Sequence, residues 1–135
     1  MPWSKDAVQA GFSNVAPWLP IPSAHAENAV DAQEHNAQST LNSYRRFLAW
    51  RKQQPVLVSG DIRFVEANVS ILAFERELVG NKMLVLFNLS EQSTSFDFNG
   101  YQLNAELNEH GLLAGKLIGN TIELPPFASY FANIK

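Results

Sequence analysis

The chain has 135 residues, 46% of them hydrophobic and 17% charged, with a formal net charge of -3; this supports a packed core, is too apolar for a disordered chain, and leaves no basic stripe for nucleic acid. It has no cysteine, which excludes disulfides and thiolate metal sites and permits a reducing compartment, so a cytoplasmic location is expected. No apolar run approaches the roughly 20 residues that cross a bilayer, no charged and apolar leader is visible at the start, and no membrane partner is expected.

The opening run Met1-Pro2-Trp3, then Ala10-Gly11-Phe12 and Pro17-Trp18-Leu19-Pro20, reads as the interior of a larger protein, cut into just before a loop. Five prolines, Pro2, Pro17, Pro20, Pro22 and Pro55, lie in the first 55 residues. Proline removes a backbone donor and fixes φ, so 17–22 is neither a central strand nor a helix interior. The loop nevertheless carries Trp3, Phe12, Trp18, Leu19 and Ile21, and is expected to lie across a larger body. A short helix is expected over 28–34 and a clear one from about Thr40 to Gln53, with Ser39 as N-cap. Leu41, Tyr44, Phe47, Leu48 and Arg51 recur at spacings of three and four and predict one apolar stripe. Pro55 ends this helix by pushing its predecessor out of helical geometry.

From residue 56 the period changes. Strands are predicted over 62–66, 70–76, 83–89, 94–98, 103–107, 116–118, 121–124 and 129–134. The run Met83-Leu84-Val85-Leu86-Phe87-Asn88-Leu89 is almost continuously apolar, as in a strand buried on both faces. Val79-Gly80-Asn81-Lys82, Asn99-Gly100 and Gly119-Asn120 mark turns. Seven or eight short strands without an intervening helix predict a mainly β, antiparallel sandwich.

Reactive groups are sparse. His25, His35 and His110 share no metal-ligand spacing and read as ordinary surface or loop histidines, so no metal is expected. Glu75 and Glu77 share a strand face by period two, as a general acid and base might; solvated, outward-facing carboxylates explain them better. Asp61, after Gly60, reads as a turn residue. There is no nucleophile elbow, phosphate loop or dinucleotide fingerprint, and no cofactor is expected. Of the sequons Asn68-Val69-Ser70 and Asn88-Leu89-Ser90, the second overlaps a buried strand, against glycosylation there.

Pro2-Trp3, Ala10-Gly11-Phe12-Ser13, Pro17-Trp18-Leu19-Pro20, Ser39-x-Leu41-Asn42-x-Tyr44-Arg45, Arg51-Lys52, Pro55-x-Leu57-x-x-Gly60 and, less specifically, Leu86-Phe87-Asn88-Leu89-Ser90 together resemble the C-terminal third of bacterial α-glucosidases of the α-amylase superfamily (glycoside hydrolase family 13), with oligo-1,6-glucosidases and trehalose synthases carrying similar text. Two departures are a Trp3 to Gly11 interval one residue longer than in many relatives, and Trp50 where relatives often carry a smaller aliphatic residue.

The resemblance implies a definite anatomy. Residues 1–54 would be a remnant of a catalytic (β/α)8 barrel, with 1–38 the loop after its eighth strand and 39–54 its last helix. Residues 55–135 would be the C-terminal domain, an antiparallel Greek-key β-sandwich. The partners implied are the rest of the barrel, within the same protein, and an α-glucoside oligosaccharide. The superfamily's Asp nucleophile, Glu acid/base and second Asp come from barrel strands four, five and seven, upstream of Met1, so no catalytic residue is assigned in this segment. Trp3 and Phe12, on a loop at the C-terminal barrel face where active sites form, are the candidates for lining the approach to the sugar, against the plainer reading that they only pack the loop down. The alternative is a free-standing sandwich that binds carbohydrate or protein, which would display three or more coplanar exposed rings; most aromatic positions from Phe64 to Phe131 fall inward. Without a barrel, Trp18, Leu19 and the Leu41–Leu48 stripe would be uncovered, so the isolated chain is expected to dimerise or to be loosely ordered before residue 39.

Overall fold

The computed structural model describes residues 1–135, which divide into two units, Met1–Arg46 and Phe47–Lys135. In the first, short 3-10 turns at Val8–Gly11 and Ser23–Asn28 precede helix α1 (Val30–Glu34) and the first half of helix α2 (Thr40–Lys52). The start of α2 is fixed as its sequence predicts. Ser39 Oγ accepts the Asn42 N–H at 3.2 Å, and Gln33 Oε1 accepts that of Leu41 at 3.0 Å, so side chains satisfy two N–H groups that the helix leaves unpaired. Asn42 Nδ2 in turn donates to the carbonyls of Gln33, Glu34 and Asn36, closing the end of α1.

The second unit begins with the last turns of α2. Pro55 stops that helix and also opens another, α3 (Pro55–Ser59), where it sits at the first helical position and its missing N–H costs nothing. A β-carbon on Gly60 would lie 2.5 Å from the Val56 carbonyl oxygen and 2.8 Å from that of Glu77. Both are backbone atoms that cannot step aside. The spacing Pro55-x-Leu57-x-x-Gly60 therefore has a local cause: a helix start, a buried anchor at Leu57, and a crossing with room only for glycine.

Eight strands complete the chain: β1 (Asp61–Phe64), β2 (Ile71–Leu78), β3 (Asn81–Asn88), β4 (Thr94–Asp97), β5 (Leu103–Glu106), β6 (Lys116–Ile118), β7 (Thr121–Leu124) and β8 (Ser129–Ile134). They form a five-stranded sheet in the order β1-β2-β3-β8-β5 and a three-stranded sheet β4-β7-β6. All named pairs are antiparallel, and the chain crosses repeatedly from one sheet to the other, as in a Greek key.

The large sheet is buried on both faces at its centre. Ile71, Ala73, Leu84, Leu86, Tyr130, Ala132 and Ile134 meet Phe96, Phe98, Ile122 and Leu124 of the small sheet. On the opposite face Met83, Val85 and Phe131 meet Trp50, Val56 and Leu57 of α2 and α3. Two faces explain the continuous apolar runs of β3 and β8, since alternate residues serve different cores. Trp50 is the only buried residue of α2. Its ring stands edge-on to Phe131 at 4.9 Å between centroids, with Phe47 at 5.9 Å. Aromatic pairs of this kind add about 0.5–1.5 kcal/mol each beyond the area they bury. Of the predicted stripe, Leu41 and Leu48 are half-buried and Tyr44 is exposed.

Asn88 joins the two sheets. Its Nδ2 shares two hydrogens among the carbonyls of Gln92, Leu124 and Pro125 at 2.7, 3.2 and 2.9 Å, while its Oδ1 accepts the N–H and hydroxyl of Ser90. The side chain is buried, in agreement with the expectation against glycosylation at this sequon. Asn68, in the other sequon, is exposed.

His110 lies in a loop, as expected, but not at the surface. It is fully buried, 5.6 Å from Trp50 and 4.9 Å from Phe131 between ring centroids. Its Nδ1 accepts the Leu112 N–H at 3.1 Å, which places the proton of the neutral ring on Nε2, and that atom has no polar partner. A packed apolar surrounding leaves no site for a charge, and burial pushes the imidazole below its ordinary value.

Two predictions arise from this fold. The β2–β3 hairpin turns through Val79 and Gly80, both left-handed with φ of 50° and 76°. That geometry suits Asn-Gly, and a β-branched residue there is strained by about 1 kcal/mol. Val79→Asn should raise the stability of the chain by about that amount in urea unfolding; an unchanged or lower midpoint contradicts it. The second concerns pH. The unfolded chain protonates His110 near pH 6.5 and the folded chain only below that, so the histidine's contribution is intact above about pH 6.5 and is lost as pH falls toward the folded value. His110→Leu should remove up to about 1.4 kcal/mol per pH unit of slope in that window; equal slopes in both proteins would refute the assignment.

Candidate functional site

The first unit holds both rings singled out from sequence. Residues 2–5 are stitched to the start of α1: the carbonyls of Pro2 and Trp3 accept the N–H groups of Val30 and Asp31 at 3.1 Å each, and the Lys5 N–H reaches both oxygens of Asp31 at 3.0 Å. Hydrogen bonds from the Ser4 side chain and then from backbone N–H groups hold the Asp31 carboxyl below its ordinary value. Lys5 Nζ pairs with Glu27 at 2.8 Å. On the other side, the Ala10 carbonyl accepts the N–H groups of Trp3 and Ser4 at 2.8 and 3.1 Å.

This closure demands unusual backbone. Gln9, Ala10 and Gly11 are consecutive left-handed residues, with φ of 52°, 53° and 73°. Only glycine adopts that region without strain, so the first two residues are held there by the contacts around them. The result is a pinned segment bearing half-exposed rings: Trp3 is 52% and Phe12 42% exposed. Phe12 shares an apolar depression with Pro17, Trp18, Leu19, Pro20 and Ile21, whereas Trp3 lies outside its lining. Trp18 is 91% exposed. The loop is ordered by its own hydrogen bonds, and its apolar side chains remain uncovered within this unit.

The carboxylates of the second unit behave otherwise than predicted for Glu75. Residues 71, 73 and 75 of β2 are all buried, because period two carries Glu75 onto the sandwich side together with Ile71 and Ala73. The carboxylate is therefore not outward and solvated. Arg63 donates to its Oε2 at 2.7 Å, and the Tyr101 hydroxyl to its Oε1 at 3.2 Å. Burial, and then the neighbouring carboxylate, push the Tyr101 phenol up, which keeps it a donor. Glu77 is exposed and pairs with Lys82 at 3.8 Å. With Glu75 engaged by two donors and Glu77 in solvent, the two do not form an acid–base pair. Asp61 opens β1 and is exposed. His25 and His35 are exposed and far in sequence from His110, and no group of histidines and carboxylates is arranged to hold a metal ion.

Three buried polar or aromatic residues shape this unit without having been singled out as such: Glu75, His110 and Trp50. The signal for Glu75 was present in the alternation of β2. Trp50 was visible only as a departure from related sequences, and nothing in the residues around His110 distinguishes a buried loop histidine from an exposed one.

Comparison with known proteins places these features. Residues 1–60 match the family described as alpha amylase, catalytic domain, and residues 62–131 match that described as maltogenic amylase, C-terminal domain. A probable alpha-glucosidase of Rhizobium meliloti (strain 1021) is 38% identical over 124 residues, which cover 92% of this chain and 22% of the relative. A glucan 1,6-alpha-glucosidase of Streptococcus dysgalactiae subsp. equisimilis is 33% identical over 98 residues, covering 71% of this chain and 18% of the relative. Among solved structures, the alpha-glucosyl transfer enzyme XgtA superposes with a TM-score of 0.90 at 34% identity, over 100% of this chain and 25% of that one. The trehalulose synthase MutB from Pseudomonas mesoacidophila MX-45 gives 0.81 at 25% identity, over 99% and 24%. The chain thus spans about a quarter or less of the length of these relatives. With more than half of its residues in the C-terminal-domain match and most of the remainder in the catalytic-domain match, the chain belongs to the α-amylase superfamily, glycoside hydrolase family 13, and carries its C-terminal sandwich together with the adjoining stretch of its catalytic domain.

Proposed function

We propose that this chain is the C-terminal part of a retaining α-glucosidase that hydrolyses α-linked glucosides of the maltose and isomaltose type, and that its own role in that enzyme is structural. The observation that carries the reading is the 38% identity to a probable alpha-glucosidase across 92% of the chain. The chemistry agrees. Retaining glycosidases use two carboxyl groups about 5–5.5 Å apart, and the one buried carboxylate of the sandwich, Glu75, is taken up by Arg63 and Tyr101. The nucleophile and acid/base are assigned to barrel strands outside this sequence. Within the enzyme, the pinned loop carrying Trp3 and Phe12 borders the approach to the sugar, and the absence of cysteine suits a reducing cytoplasm.

The alternative, a free-standing sugar-binding sandwich, lacks its platform. Only Phe64 and Phe127 among the sandwich rings are exposed, and Phe64 stands at 69° to its neighbour Phe74 rather than coplanar with it. A second reading, glucosyl transfer to a sugar in place of water, draws support from XgtA, a solved alpha-glucosyl transfer enzyme. We also propose that the 135-residue chain on its own dimerises through the uncovered apolar loop around Trp18 and Leu19.

The full-length enzyme should release glucose from maltose or isomaltose, and the 135-residue chain should release none. Phe12→Ala in the full-length enzyme should raise KM several-fold with a smaller change in kcat; activity in the isolated chain, or none in the whole protein on either sugar, defeats the reading. Accumulation of longer or isomeric sugars in the same assay assigns transfer. For the isolated chain, sedimentation should show a dimer that Trp18→Asp converts to monomer, and a monomeric parent chain rules the contact out.

A further inference from the structure

Asn99 is the one asparagine of the chain that precedes a glycine. It sits where the chain leaves the small sheet at β4 for the large sheet at β5. The Tyr101 N–H donates to the Phe98 carbonyl at 3.1 Å and closes a turn, in which Gly100 is left-handed with φ of 88° and Asn99 is not. A positive φ at the third turn position alone defines a type II turn, which calls for glycine there. Asn99 and Gly100 are both exposed, and a β-carbon on Gly100 would meet nothing within 4 Å.

The turn leaves this amide open to attack by its own backbone. The Gly100 N–H donates no hydrogen bond within the chain, and no side chain of its own shields the nitrogen. The Asn99 Nδ2 has no acceptor, whereas its Oδ1 accepts the Asn120 Nδ2–H at 3.0 Å from the β6–β7 turn. Negative charge gathers on that oxygen when the adjoining Cγ is attacked, so the donor is aimed where charge develops. Asn42 and Asn88 are the contrast. Each has its Nδ2 held by three carbonyls, which keeps the amide from turning toward its own backbone, and Asn88 is buried besides.

We propose that Asn99 is a site of spontaneous modification, at which the side-chain amide cyclises onto the Gly100 nitrogen and is converted to aspartate and isoaspartate, with Asn120 assisting. The Gly100 nitrogen gives its proton to water and bonds to Asn99 Cγ. The Cγ–Nδ2 bond breaks, and Nδ2 takes up a proton and leaves as ammonia, giving a cyclic succinimide. Water then opens the ring. Opening at Cγ restores the ordinary peptide and leaves aspartate; opening at the backbone carbonyl leaves isoaspartate, with the main chain running through Cγ. Water is the only co-reactant, and nothing is oxidised or reduced.

The position couples the surface to the core. Isoaspartate adds a methylene to the main chain between Phe98 and Tyr101, whose rings stack at 5.4 Å. Phe98 belongs to the core between the sheets, and the Tyr101 hydroxyl donates to Glu75. A lengthened turn disturbs the stack and, through Tyr101, the bond to Glu75. Aspartate keeps the main chain and still accepts from Asn120, adding only a charge near Asp97, whose Oδ1 accepts the Asn99 N–H at 2.9 Å. The site belongs to the sandwich alone and is independent of the reaction assigned to the parent enzyme.

Timed incubation of the full-length protein at mildly alkaline pH, followed by peptide mapping with isoaspartate detection, tests the site. Asn99 should convert roughly tenfold faster than any other asparagine, a difference of about 1.4 kcal/mol in barrier, and Asn88 should keep its amide. Gly100→Ala should suppress the conversion, and Asn120→Ala, which leaves the glycine in place, should slow it several-fold. The isoaspartate form, separated by chromatography, should melt a few degrees below the Asn99→Asp variant, and the gap should narrow in a Tyr101→Phe background. Conversion of Asn99 at the pace of the other asparagines overturns the site. An unchanged rate in Asn120→Ala overturns the assistance, and equal midpoints for the isoaspartate form and Asn99→Asp overturn the coupling to Tyr101.

Discussion

The second unit is organised by strands that cannot be stable on one side alone. β3 and β8 have side chains buried on both faces, so the large sheet needs the small sheet against one face and a helical layer against the other. Neither cover is optional, since an uncovered half would leave Leu84, Leu86 and Tyr130, or Met83, Val85 and Phe131, in water, at about 1.5–3 kcal/mol for each large side chain. The helical cover is supplied by α2 and α3, and the largest part of it is one indole, Trp50. A residue in the stretch matching the catalytic domain therefore serves as a core residue of the sandwich. In folding terms the sandwich depends on chain that precedes it in sequence.

The same dependence explains why the functional reading and the structural one divide as they do. The chemistry of a glycosidase requires paired carboxylates held in a fixed frame. The chain supplies frame: a doubly covered sheet, a helix capped at its start, and a loop whose backbone is tied at both ends. Several of its polar groups are engaged in holding that frame. Glu75 fixes Arg63 and Tyr101, Asn88 fixes the sheet-to-sheet closure, and Asp31 fixes the start of the chain to α1.

Much of this was legible in the residues. The continuous apolar run of β3 announced a strand without a wet face, and Val79-Gly80, Asn99-Gly100 and Gly119-Asn120 marked turns where the structure has left-handed glycines. Ser39 announced the start of α2. What escaped was of two kinds. Glu75 was misread because its charge outweighed the period of its own strand, although Ile71 and Ala73 had already set the inward face. His110 and Trp50 were illegible for a different reason: each is buried by residues distant in sequence, Phe131 above all, and no local pattern records such a meeting. Helix α3 was hidden by Pro55, whose stop signal is plain and whose second use, as the first residue of a new helix, depends on Val56 to Ser59 closing a turn behind it. Trp3 and Phe12 were singled out from sequence, whereas the left-handed turn that pins their segment was not, since Gln9 and Ala10 carry no preference for it.

Asn88 gives the sandwich an unusual chemical sensitivity. The two sheets are closed at that end by an amide nitrogen that faces three carbonyl oxygens, from Gln92, Leu124 and Pro125. Aspartate has nearly the same shape and volume, yet in its ionised form it offers no hydrogen to any of them and adds a negative charge to a buried ring of oxygens. Shape conservation is therefore no guide to tolerance at this position: the joint between the sheets discriminates an NH2 group from an oxygen, and a difference of one heavy atom decides whether it attracts or repels.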